Sequence, residues 1–139
     1  MGPVEFGYEQ LVRGRLGEHL LHEWDVAVAL DPAATLAPDG TDAVVDGIEA
    51  LARWTARPMG PERTVTIATT APERGFSVAI GRDVVGFSSI GPAADATLVM
   101  PAEAFVRLVY GRLDPAHTPS TVVGDGDALD QLRQVFPGL

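Results

Sequence analysis

From Tyr8 to Leu30 apolar side chains recur at steps of three and four: Leu11, Val12, Leu16, Leu20, Leu21, Trp24, Ala27 and Val28. That period predicts one long helix. Asp31-Pro32 ends it, because the residue before a proline is pushed out of the helical region. Pro38-Asp39-Gly40 reads as a turn. A second helix is expected after it, with Thr41 as N-cap and Val44, Val45, Ile48, Leu51 and Ala52 on one face. Arg57-Pro58-Met59-Gly60-Pro61 breaks the pattern. It suggests a boundary between a helical segment, 1–56, and a second unit, 57–139.

Beyond that boundary the period changes to two. Thr64–Thr69, Phe76–Ile80, Val84–Ser88 and Ala96–Met100 read as strands, separated by Pro72-Glu73-Arg74-Gly75, Gly81-Arg82-Asp83 and Gly91-Pro92. The short connections predict an antiparallel meander. Pro101 opens a helix with Phe105, Leu108, Val109 and Arg112 on one face. Thr121–Val123 suggests a fifth strand, Gly124-Asp125-Gly126 a turn, and Asp127 the cap of a last helix carrying Leu129, Leu132, Val135 and Phe136. The expected fold class is α+β: a mostly antiparallel sheet of about five strands covered by helices and preceded by a long N-terminal helix. That first helix has apolar residues around much of its circumference, more than one sheet face would bury. This predicts an exposed apolar strip, and with it a homodimer or a helical-bundle partner.

Composition narrows the classes. The chain has 139 residues and a formal charge of −9. All ten basic residues are Arg; there is no Lys, Asn or Cys. The acidic balance argues against nucleic acid and anionic membrane surfaces, since phosphates need cations to replace their counterions. Without Cys there is no disulfide, thiolate metal site or Cys nucleophile. No apolar run is long enough to span a bilayer, and Met1-Gly2-Pro3-Val4-Glu5 has no signal-peptide character, so a cytoplasmic location is expected.

Candidate chemistry concentrates on the first helix. Arg15, Glu18, His22 and Asp25 are spaced three, four and three apart, which puts them on one stripe. A carboxylate and an imidazole at i and i+4 suit zinc or a similar divalent metal, with Arg15 and Asp25 orienting or balancing the ligands. His19 lies one residue off the stripe. The ordinary alternative is an exposed ion-pair ladder, worth a few tenths of a kcal/mol per pair. With eight Glu and three His, this spacing arises by chance about 0.17 times per chain. Two donors also fall short of the three that a catalytic zinc usually keeps; a third would come from His19, from His117 or from outside the chain. Arg112, following an apolar stripe, is either a half-buried guanidinium for a substrate carboxylate or a charge compensating a helix end. His117 reads as a loop residue with a local hydrogen bond. No nucleophile elbow is present, so no catalytic residue is assigned.

The segment from Arg15 to Val26, with Glu18, His22, Trp24 and Asp25, resembles the E-x-x-x-H-x-W-D segment of the mycothiol-dependent maleylpyruvate isomerase family. Val28–Leu36, Pro101–Pro115 and Val135–Gly138 resemble actinobacterial members. The likeness covers nearly the whole chain but only the back part of a family member. It implies the last helix of a DinB-type bundle followed by a domain similar to sterol carrier protein 2. It implies that Glu18 and His22 are metal ligands and that Arg112 holds a substrate carboxylate. It also implies a divalent metal, zinc by preference, and mycothiol as thiol cosubstrate for isomerisation of an organic acid or for thiol transfer. The family's first ligand, a His on an early bundle helix, has no counterpart here. The expectation is therefore the C-terminal portion of such an enzyme, inactive alone. The alternative is a non-catalytic module similar to sterol carrier protein 2 that binds an apolar ligand or a partner chain.

Overall fold

The computed structural model describes residues 7–91 and 96–138. Met1–Glu5, where no signal peptide is expected, and Pro92 of the expected turn lie outside them. The architecture is α+β. Helix α1 (Tyr8–Leu30) is followed by α2 (Pro38–Val45) and α3 (Ile48–Thr55). Strands β1 (Arg63–Thr70), β2 (Arg74–Ile80), β3 (Val85–Ile90) and β4 (Leu98–Pro101) then lead into α4 (Ala102–Val109). A 3-10 turn at Pro115–His117, strand β5 (Val123–Gly124) and α5 (Gly126–Val135) complete the described chain. None of the described helices is long and apolar enough to cross a membrane.

The five-stranded sheet has the order β3-β2-β1-β4-β5. Strands β1, β2 and β3 form the expected antiparallel meander. β4 departs from it: it crosses back to the far side of β1 and pairs there in parallel, Ile67 beside Leu98. β5 then adds antiparallel to β4. The period of two is visible in burial. Val65, Ile67, Phe76, Val78, Ile80, Phe87, Leu98 and Met100 are buried, while their neighbours Thr64, Ala79, Gly86 and Ser88 are exposed. A sheet with one wet face can do this; one covered on both sides would not.

The helices cover the apolar face. α4 is buried along nearly its whole length. Phe105 stacks on Phe76 with ring centroids 4.4 Å apart, and Phe87 meets Phe136 of the C-terminal segment edge to face. Leu20, Leu21 and Trp24 of α1 join the same continuous core, as do Val44, Val45 and Ile48. At Gly17 an added Cβ would overlap the Tyr110 hydroxyl, so only glycine lets α1 approach the end of α4 this closely.

Three local readings need correction. The expected single helix after the Pro38 turn is two. α2 starts at Pro38, with Ala37 as cap and Thr41 inside it, donating its hydroxyl to the Ala37 carbonyl. The chain then turns at Asp46-Gly47, where the Gly47 N–H bonds Val44 rather than continuing the helix. A Cβ at Gly47 would run into the Arg13 side chain. The last helix is capped by Asp125, whose carboxylate accepts the N–H groups of Asp127 and Ala128; Asp127 is in its first turn. Finally, Arg112 is not on the face of α4. Gly111, at φ +73°, stops that helix in the left-handed conformation, and the Arg112 N–H closes back on the Arg107 carbonyl at 2.7 Å.

Candidate functional site

The stripe on α1 divides into two halves. At its C-terminal end, Asp25 is clamped by Arg112, whose Nε and Nη2 donate to the two carboxylate oxygens at 2.8 and 3.1 Å. Nη1 of Arg112 donates to the Tyr110 carbonyl at 2.9 Å. The glycine turn after α4 thus aims Arg112 back at α1 and spends its guanidinium on a fork-to-fork pair. A ligand carboxylate at Arg112 would have to displace Asp25.

Toward the N-terminus the stripe is open. Glu18 is exposed and makes no hydrogen bond or ion pair with any described residue. The His22 side chain is 74% exposed, with Nδ1 3.9 Å from Asp25 Oδ2. Arg15 and His19 are exposed and unpaired among the described residues. His117 is drawn elsewhere: its Nδ1 is 2.6 Å from Asp114, and its ring lies edge-on to Trp24.

The fold also creates a concavity that the sequence did not announce. The break between α2 and α3 leaves a groove of about 710 Å³ against the N-terminal half of α1. Glu18 and Arg13 stand on one wall, Asp46, Ile48 and Trp54 on the other, and Tyr110 contributes as well. Burial pushes the Tyr110 hydroxyl above its ordinary pKa, and the negative charge of Glu18 pushes the same way; Arg112 opposes both. Trp54 is 70% exposed, a large apolar surface beside a charged one. The signal in sequence was the Asp46-Gly47 dipeptide, whose glycine alone reads only as a weak helix former.

A second unforeseen feature is a buried cation. Arg107, 1% exposed, donates twice to Glu103 and once to the His117 carbonyl, each at 2.8 Å. Its guanidinium carbon lies 5.0 Å from the Trp24 ring centre. Glu103 in turn accepts the Leu36 N–H at 3.2 Å. This network ties α1, the chain before α2, α4 and the 3-10 turn together. The Glu103–Arg107 spacing of four, acid first, was its sequence signal.

A protein-held zinc needs three or more protein donors. No group of three His, Asp or Glu side chains gathers among the described residues. Glu18 and His22 are two donors and do not by themselves make a metal site. No family model matches the chain, and no curated protein matches it.

Proposed function

We propose that this chain is the C-terminal portion of a metal- and thiol-dependent isomerase or transferase, resembling the mycothiol-dependent maleylpyruvate isomerases, and that it is inactive alone. The observation that carries the reading is the state of α1. Glu18 and His22, one turn apart, face solvent without any ion-pair partner closer than the 3.9 Å approach of Asp25 to His22. Exposed apolar residues share their helix: Tyr8, Leu11, Val12, Val26 and Leu30. Such a mixture of metal-ligand types and uncovered apolar surface suits a face whose partner lies outside the chain. Asp25, paired with Arg112, places a carboxylate 3.9 Å from the His22 ring, the kind of group that orients a ligand imidazole.

The test is an isomerisation assay with Zn²⁺, a low-molecular-weight thiol and a cis-enoyl keto acid, run beside a zinc titration. The chain alone is expected to give no turnover, and to bind zinc weakly and saturably with an affinity that Glu18→Gln and His22→Ala each lower further. Turnover by the isolated chain would overturn its incompleteness. Zinc binding indifferent to both substitutions would overturn the donor assignment.

The groove favours a second reading, a non-catalytic module for an apolar or amphipathic ligand. Val44, Ile48, Leu51 and Trp54 line it with charges at its rim, the pattern of a small-molecule site. Quenching or a blue shift of Trp54 fluorescence by a fatty acid would support this reading; an unchanged spectrum would remove it.

A further inference from the structure

The exposed side of α1 carries a seam with an internal symmetry. Tyr8, Val12, Arg15, His19, Glu23, Val26 and Leu30 are all exposed, and their spacing is four, three, four, four, three, four. At 3.6 residues per turn these positions form one continuous stripe. It lies one step round the helix from Glu18 and His22. The spacing reads the same from either end, with His19 at the centre. The chemistry is complementary about that centre: apolar Tyr8 mirrors apolar Leu30, Val12 mirrors Val26, and cationic Arg15 mirrors anionic Glu23.

We propose that the occupant of this seam is a second copy of the same chain, with the two α1 helices antiparallel about a two-fold axis at His19. A two-fold contact requires a surface that is its own complement, and this seam meets that condition residue by residue. Tyr8 of one copy meets Leu30 of the other, and Val12 meets Val26. Arg15 meets Glu23 twice, once on each side of the axis. Arg15, His19 and Glu23 have no hydrogen bond or ion pair among the described residues of their own chain. The formal charge of −9 per chain opposes association in general. The seam escapes this, because its one cation and one anion cancel. A parallel arrangement is disfavoured, since it would set Arg15 against Arg15 and Glu23 against Glu23. The pairing draws on the same exposed apolar residues as the reading above but leaves its two donors aside: it uses the His19 side of α1, whereas Glu18 lines the groove.

Sedimentation of the full chain over a range of concentrations is expected to show a reversible monomer–dimer equilibrium. Arg15→Glu and Glu23→Arg should each weaken the dimer by at least about tenfold, because each sets like charges opposite one another at two symmetric points. The double variant should restore it. Since the chain has no Cys, His19→Cys offers a direct geometric check. On mild oxidation it should link two copies, which an exposed control, Thr35→Cys, should not, because a disulfide needs Cα atoms within about 7 Å. A chain that stays monomeric overturns the proposal. So does a dimer that neither charge reversal weakens, or one in which His19→Cys crosslinks no faster than the control. A monomer that still binds zinc through Glu18 and His22 overturns this pairing alone and leaves the reading above standing.

Discussion

Replacing Arg107 by Met tests the packing of α1 onto the rest of the molecule. The substitution keeps an unbranched, flexible side chain, shorter than that of Arg, and removes its charge. It deletes three hydrogen bonds of 2.8 Å and the stacking over Trp24. It leaves the Glu103 carboxylate, whose side chain is only 13% exposed, with the Leu36 N–H as its remaining partner. Breaking a buried ion pair from one side costs about 3–5 kcal/mol, most of it the penalty for the stranded charge. At about 2–4 °C per kcal/mol for a chain near this size, the midpoint of thermal unfolding should fall by roughly 6–20 °C. Total stability of such domains is about 5–15 kcal/mol, so the variant should still fold in the cold. Urea unfolding followed by circular dichroism gives the free energy directly. Adding Glu103→Met should recover part of the loss, because no charge is then stranded, though the Leu36 N–H goes unpaired at about 1–3 kcal/mol. If Arg107→Met alone costs under about 1 kcal/mol, or the double variant is the worse of the two, the network is not a buried ion pair in any energetic sense.

Other substitutions separate the remaining contributions. Gly111→Ala should destabilise by at least about 1–2 kcal/mol in urea, since a Cβ is disfavoured in the left-handed region and would also meet the backbone of Gly138. Asp25→Asn should cost no more than about 1 kcal/mol, because both partners of its pair with Arg112 are partly solvated; a larger loss would mark Asp25 as a structural anchor. Stability should also fall in acid. The hydrogen bond from Arg74 holds Asp46 below the ordinary carboxylate value of 3.8, and the N–H of Ala128 together with Arg63 does the same for Asp125. Their contribution is whole above that value and is lost as the pH drops through the lowered folded values. Arg74→Gln, measured in urea at falling pH, should flatten the part due to Asp46.

The long helix α1 and the strands were legible because they depend on local period alone: Leu20, Leu21 and Trp24 fall on one side of a helix, and Val65 and Ile67 on one side of a strand. What escaped depends on contacts between distant residues. The parallel pairing of β4 with β1 is a choice of neighbour, which alternation does not encode. Arg112 follows an apolar helical stripe but lies beyond the end of that helix; Gly111 in Tyr110-Gly111-Arg112 is the stop signal, and its left-handed conformation is set by the chain's return toward α1. The groove required the Asp46-Gly47 break to stand opposite α1, and Arg107 required α4 to be enclosed on every side. Of the stripe read on α1, Arg15, Glu18 and His22 remain open to solvent, while Asp25 is committed to Arg112.

The central claim is that Glu18 and His22 together offer donors to a metal completed from outside the chain. Its most direct measurement is a zinc titration followed by NMR, with the imidazole signals of the three His residues resolved. The account predicts that His22 responds first, with amide shifts confined to α1 around Glu18, at a weak affinity that Glu18→Gln weakens further. A first response at His117, shifts scattered over the sheet, or tight stoichiometric binding by the single chain would contradict it.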